Sequence, residues 1–242
     1  MSPRRPESWS LGSCAVVGDG RIGRALVASL PWFNGPFGRG FDGTGFDVVI
    51  LAVADGEIAR AADAIRLGPL VGHCAGSLGL DVLLPHEAFG LHPLMTVIGD
   101  GARFVGAGAA VAGSTPRALG AAHVLAEALG MDAFEIADVD RAAYHAAASI
   151  ASNFLVTLED AAEIMLRTAG ADRKLLVPLI RATIENWAAF GASGALTGPI
   201  VRGDEATVAR QRDAVVDRAP ELTPLFDALC ERTRRIVERT VR

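Results

Sequence analysis

The chain has 242 residues, 50% of them apolar and 21% charged, with a net charge of −5, which is the profile of a globular protein. The acidic balance, with no basic stripe interleaved with aromatics, argues against nucleic-acid binding. Three widely spaced cysteines, Cys14, Cys74 and Cys230, make neither a disulfide framework nor paired metal ligands, so no metal site is expected.

Residues 1–9 are polar and proline-broken and read as a disordered tail, without the apolar core of a signal peptide. No apolar run reaches the length of a membrane span, which predicts a cytoplasmic protein. Cys14–Val17 is short, apolar and β-branched, as a buried strand should be. It runs into Gly18-Asp19-Gly20-Arg21-Ile22-Gly23 and then a helical stretch, Ile22–Leu30. Between a strand and a helix, each glycine at this spacing has its own use. Gly18 permits a tight turn, Gly20 lets backbone approach a pyrophosphate, and Gly23 lets helix pack closely on strand. The helix start adds free N–H groups and the positive end of its dipole. The alternative is a plain strand–turn–helix.

Residues 31–45 are rich in glycine with two prolines, and read as a loop. Phe46–Val53 is the next strand, with Asp55 placed to cap a helix over Gly56–Arg66. Leu70–Cys74 is a further strand, ending beside His73, Gly76 and Ser77. Phe89–Leu91 leads to a His92-Pro93 turn, and Phe104–Val111, Pro116–Leu129 and Ala133–Ile136 read as strand, helix and strand. Strands alternating with helices predict an α/β Rossmann-like domain with a shortened, mainly parallel sheet over residues 10–137. From Asp138 the period is helical: one long helix over Val139–Ala169, then Lys174–Phe190, a loop over Gly191–Gly203, and helices over Glu205–Arg218 and Thr223–Val241. Residues 138–242 are therefore expected to form an all-α domain.

Three segments carry a resemblance: Gly90–Thr96 (GLHPLMT), Tyr144–Asn153 (YHAAASIASN) and Ala195–Asp204 (ALTGPIVRGD). With the glycine loop, they make the chain similar to bacterial Rossmann-like oxidoreductases that carry a C-terminal helical domain of unknown function. Those resemble pyrroline-5-carboxylate reductase, ketopantoate reductase and the 6-phosphogluconate dehydrogenase superfamily. The resemblance implies a C-terminal domain of the 6-phosphogluconate dehydrogenase type, an NADP-linked reductase, and a homodimer made through the helices. It also exposes a departure. Such folds place two more strands and a helix between the glycine loop and the strand matching Phe46–Val53, whereas here about 25 residues intervene. Arg39 and Asp42 fall at the distance where a ribose or 2′-phosphate is read, but on the predicted loop, so the adenosine half of the pocket is expected to be trimmed. Arg39 alone does not separate NADP from NAD.

The chemistry-bearing candidates fall in three groups. His145, Ser149, Ser152 and Asn153 lie on one helical stripe, which Asp160 and Glu163 extend. Reduction of a carbonyl or imine needs a proton donor and groups that hold the heteroatom; His145 fits the first role, Ser149 and Asn153 the second. Related dehydrogenases carry a lysine one turn before the asparagine; here that position is Ser149. The bland reading is close helix packing with hydroxyls bonded to their own backbone. His92, past a strand end, resembles the His-Pro turn near the nicotinamide in prephenate dehydrogenases, and equally reads as a structural histidine. His86 and His123 read as surface residues. Val53, Ala54, Asp55 and Ser77 lie at strand ends where α/β sheets hold ligands. Thr197, Gly198 and Arg202 offer a hydroxyl, backbone N–H groups and a guanidinium to a carboxylate, against an Arg202–Asp204 ion pair with Asp204 as a helix cap.

The sequence thus predicts an NADP-dependent oxidoreductase reducing a small keto- or imino-carboxylate. The alternatives are a non-catalytic ligand-binding protein with a degenerate pocket, and a reductase using another cofactor such as a deazaflavin.

Overall fold

In the computed structural model, which describes residues 11–98 and 103–240, the chain forms two compact units, one ending at Ser152 and one starting at Asn153. The expected tail at residues 1–9 lies outside the described residues. The first unit holds a seven-stranded sheet: β1 (Cys14–Val17), β2 (Phe33–Phe37), β3 (Val48–Leu51), β4 (Leu70–His73), β5 (Ala88–Leu94), β6 (Gly108–Gly113) and β7 (Asp132–Glu135), in the order β2-β1-β3-β4-β5-β6-β7. Every pairing is parallel except β5 with β6. The helices α1 (Arg21–Ser29), α2 (Ile58–Asp63), α3 (Pro116–Ala128) and α4 (Arg141–Ala151) complete this unit.

The central strands β1 and β3 are buried at every position, because both faces of a parallel sheet are covered. Alternate residues serve two cores. Cys14, Val16, Val48 and Ile50 pack with Leu26 of α1 and Leu125 of α3. Ala15, Val17, Val49 and Leu51 pack with Ile58 and Ala62 of α2.

Four sequence expectations are corrected by this sheet. The predicted loop at 31–45 contains β2, which pairs in parallel with β1 through Cys14↔Phe33 and Val17↔Phe37. It tolerates Gly35-Pro36 because it is an edge strand, where a missing N–H breaks no ladder, and the register shifts at that point. His92-Pro93 is not a turn: both residues are inside β5, opposite Ala110 and Ala109 of β6. β6 itself begins at Gly108 rather than Phe104. Asp55 does not cap a helix through its side chain; it opens a short 3₁₀ turn ahead of α2.

The second unit is helical: α5 (Asn153–Thr168), α6 (Leu176–Ala195), α7 (Glu205–Arg218) and α8 (Thr223–Thr240). The single helix expected over 139–169 is two, broken at Ser152, whose ψ of −73° follows a φ of −118°. α6 also outruns its expected end: it bends at Gly191 (φ 66°) and continues to Ala195, so the following loop is shorter than predicted. Asp204 caps α7, accepting a hydrogen bond from the Thr207 N–H at 3.0 Å, and the Thr207 hydroxyl together with this N–H holds its carboxyl below the usual range.

Candidate active site

The turn after β1 is built from what glycine lacks. Gly18 has φ 114°, and a Cβ there would sit 2.4 Å from the Ala52 carbonyl oxygen; a Cβ on Gly23 would sit 1.9 Å from that of Gly18. Gly20 is different. Its nearest neighbour in that direction is 3.8 Å away, so its face is open. It precedes the first turn of α1, which contains no acidic side chain and no side-chain cap. Open backbone at an uncapped helix start, within a loop that only glycine can form, fits the pyrophosphate of a dinucleotide.

Beside this loop lies a cavity of about 560 Å³ lined by Gly18, Asp19, Gly20, Arg39, Val53 and Ala54, with Phe37 and Phe41 along one wall. Their rings stack at 4.1 Å, and Phe46 closes edge-on against both. β2 is what makes this wall. Its last residue accepts a hydrogen bond from the Gly18 N–H at 2.9 Å, and Arg39 follows two residues past its end. Glu57, also lining the cavity, forms an ion pair with Arg39 at 3.7 Å and another with Arg60. Asp19 is held in two hydrogen bonds by Arg24, at 2.7 and 3.1 Å. Arg21 donates to the Val97 carbonyl at 3.2 Å, and Ile22 is half-buried in the first turn of α1. The cavity volume is that of a small-molecule site.

A second cluster occupies the carboxyl ends of β3 and β4. The Ser77 hydroxyl donates to Asp55 Oδ2 at 3.4 Å. Gly76 is buried beneath two imidazoles: a Cβ there would lie 2.7 Å from His145 Cδ2 and 2.9 Å from His92 Nε2. His92 Nδ1 and the Tyr144 hydroxyl share a hydrogen bond at 2.6 Å, and the His92 and His145 rings meet edge-on with centroids 6.1 Å apart. β5 supplies His92 and α4 supplies Tyr144 and His145, one helical position apart. Burial, with help from His145, pushes the His92 imidazole down to about 4, so it is neutral at pH 7. Burial also raises the Tyr144 phenol above its ordinary value, against the opposing charge of Arg141.

Arg141 is the largest fully buried side chain of the described residues, 1% exposed. Its Nε donates to Asp138 Oδ1 at 2.7 Å, while Nη1 and Nη2 have no hydrogen-bond partner among the described residues. It fits because β5 carries glycine at 90, where a Cβ would lie 2.9 Å from Nη2.

His73 is structural: its Nδ1 accepts from the Ala75 N–H at 3.2 Å, which leaves Nε2–H to donate to the Gly79 carbonyl at 3.1 Å. His86 is buried rather than on the surface, its Nε2 bonded to the Ala62 carbonyl at 3.0 Å. His123 is half-buried on α3, its Nε2 3.3 Å from Glu135 Oε1. Burial pushes the Cys74 thiol up to about 12, which keeps it protonated and unreactive. Ser149 is half-buried on α4, while Asn153 opens α5, exposed, in the second unit. In the same unit Thr197 and Arg202 are exposed in the loop before α7, with the Arg202 N–H donating to the Gly198 carbonyl at 3.3 Å. Glu163 meets Arg167 and Arg173. Among the described residues no three His, Cys, Asp or Glu side chains gather as metal ligands, and no helix is long and apolar enough to cross a membrane.

Sequence reasoning passed over Tyr144, Arg141, Glu57 and Arg60. The signal for Tyr144 was present: it is the single tyrosine of the chain and opens the segment YHAAASIASN.

The first unit has a Rossmann-type fold and the second is all-α, as the likeness to solved structures shows. Protein TM1727 from Thermotoga maritima superposes with a TM-score of 0.80 at 24% identity, covering 95% of this chain and 100% of that one. A protein from Bacteroides fragilis, BF3122, provisionally named an NADP oxidoreductase, gives 0.76 at 17% identity over 93% and 98% of the two chains. The 1-pyrroline-5-carboxylate reductase of Streptococcus pyogenes gives 0.61 at 13%, over 92% and 98%. The chain belongs to the family defined by the domain of unknown function DUF2520, whose profile matches residues 108–233. A comparison with curated proteins finds no match.

Proposed function

We propose that this protein is an NADP-dependent reductase acting on the ketone or imine carbon of a small carboxylate. The observation that carries the proposal is the cavity joining the open Gly20 backbone to Arg39, in the unit whose strand ends present Asp55 and Ser77 and whose β5 and α4 supply His92 and His145. Gly18, Asp19, Gly20, Arg21, Ile22 and Gly23 would hold the pyrophosphate through backbone N–H groups and the start of α1. Arg39 would take the 2′-phosphate, and Val53, Ala54, Asp55 and Ser77 would border the nicotinamide. The dihydronicotinamide supplies the hydride. Within the first unit the proton comes from the cluster of His92, Tyr144 and His145, with Ser149 on the same helix to orient the substrate; in the second unit Asn153 remains a candidate for holding a substrate heteroatom, and Thr197, Gly198 and Arg202 remain candidates for a carboxylate. The likeness to a pyrroline carboxylate reductase with NADP bound, from Plasmodium falciparum, and to a reductive aminase from Aspergillus terreus in complex with NADPH supports the cofactor and the imine or ketone class.

We also propose a homodimer through the second unit. α5 and α6 contain no buried residue, yet α6 carries Leu179, Trp187 and Phe190 at 60% exposure or more. An apolar helix without a covering layer calls for a partner, and a second copy of this chain is the occupant proposed.

The first test is a fluorescence titration with NADPH and NADH. NADPH should bind with a dissociation constant on the order of 10 μM, and NADH more weakly. No binding of either at millimolar concentration would overturn the reductase. It would favour the ligand-binding alternative, which Ser149 in place of a lysine already supports, or one with another cofactor.

A further inference from the structure

We infer that Tyr144 is the group that hands the proton to the substrate, with His92 replenishing it and the buried Arg141 charge stabilising the phenolate left behind. The inference rests on the reductase reading and deepens it.

The geometry sets the order of the groups. His92 lies inside β5, past the point where β4 ends, with Nε2 toward Gly76 and Nδ1 on the Tyr144 hydroxyl at 2.6 Å. The phenol ring stands edge-on to His92 at 5.5 Å and to Phe134 at 5.7 Å, so it is held between the two. Arg141 lies one turn earlier on α4, with two guanidinium nitrogens that no described residue engages. Its charge reaches both His92 and Tyr144, and its guanidinium is buried over the bare backbone of Gly90. A buried cation with unused donors beside a phenol is suited to a transient negative charge on that phenol.

The protonation states decide between the two candidates for direct donor. With its imidazole pushed down to about 4, His92 is cationic in only about one molecule in a thousand at pH 7. Asp55, Arg141, His73 and His145 are the charged or titratable groups acting on it, and Asp55 alone among them favours protonation. Tyr144, raised above its ordinary value, is a neutral phenol throughout the physiological range. The group that has a proton to give is the tyrosine.

Protons and electrons balance along this route. The hydride adds to the carbonyl or imine carbon, the C=O or C=N π pair moves to the heteroatom, and the Tyr144 O–H proton is transferred to that atom. As the phenolate oxygen takes the proton of His92 Nδ1–H, Nε2 takes one from solvent, and proton exchange with solvent then returns His92 to its Nδ1–H tautomer. The two electrons come from the dihydronicotinamide, which leaves oxidised.

The test compares wild type, Tyr144→Phe, His92→Asn and Arg141→Met. It measures NADPH affinity, NADPH oxidation with a cyclic imino acid and a straight-chain 2-keto acid, and titration of the phenol by its phenolate absorbance. Because Tyr144 is the single tyrosine, that absorbance reports one group. Tyr144→Phe should bind NADPH as wild type does and lose about 100-fold or more in rate. His92→Asn should lose about tenfold. The phenol should titrate above pH 10 in wild type and higher still in Arg141→Met, a shift that a merely structural arginine would not produce. Arg141→Lys, which keeps the charge, serves if the methionine variant does not fold. A Tyr144→Phe variant with more than about a tenth of the wild-type rate would overturn the role of Tyr144 and leave the reductase standing. NADPH binding without turnover of either acid would overturn both the role of Tyr144 and the reduction of such carboxylates, whatever the phenol does. Failure of the wild type to bind NADPH would overturn both.

Discussion

Arg39 and Glu57 meet at 3.7 Å across the cavity beside the glycine loop, and Arg60 takes the same carboxylate from the α2 side. One carboxylate therefore occupies two guanidinium groups that a 2′-phosphate would use. All three side chains are substantially exposed, so their mutual attraction is weak and easily exchanged for a ligand. Replacing Glu57 by Gln should release both arginines and tighten NADPH binding about three- to tenfold while leaving NADH nearly unchanged. Arg39→Ala should weaken NADPH by about tenfold, the loss of one charge-assisted contact. Parallel fluorescence titrations of the two nucleotides check both.

Gly76 separates packing from chemistry. Gly76→Ala would drive a methyl group into His92 and His145, at 2.9 and 2.7 Å, without touching the strand ladders. A displacement of either ring by about an ångström should cost about 100-fold in rate, with a native far-ultraviolet spectrum and unchanged NADPH affinity. Steady-state kinetics with circular dichroism distinguish this outcome from simple unfolding.

The histidines make stability fall in acid. His92 is pushed down to about 4 in the fold against 6.5 for a free imidazole, and burial lowers His73 in the same direction. Between those two values the unfolded chain binds protons that the folded one refuses. The stabilisation is therefore complete above pH 6.5 and is lost as pH falls toward 4. From pH 7 to pH 5 the His92 contribution should decline by about 2 kcal/mol. Denaturant unfolding at the two pH values should show this drop in wild type and a smaller one in His92→Asn.

The helical unit offers a separate measurement. Phe190→Glu and Trp187→Asp place charges on residues that are 68% and 60% exposed in the single chain. Sedimentation should find wild type at twice the mass of one chain and the double variant as a monomer, with the helical content of the isolated chain retained.

The parts of this fold that could be read from the sequence are those whose cause is local. The first strand, the glycine loop and the helix Arg21–Ser29 declare themselves in adjacent residues, because turn, packing and phosphate approach each demand glycine at a fixed offset. β2 escaped because Gly35-Pro36 is a loop signature everywhere except at a sheet edge, and edge position is a property of topology. The break at Ser152 escaped because neither glycine nor proline marks it. The His92–Tyr144 contact joins residues 52 positions apart, and nothing in either segment's spacing announces the other. Arg141 looked like any polar residue at a helix start; its burial follows from an empty side-chain position on a strand remote in sequence.

The glycines at 76 and 90 also constrain how this site changes over generations. A single substitution at either one only adds atoms, toward His92 and His145 in one case and toward Arg141 in the other. No first step is neutral in volume. A side chain at either position finds room only where a ring or the guanidinium has first been lost or displaced, so the order of such replacements is imposed by space.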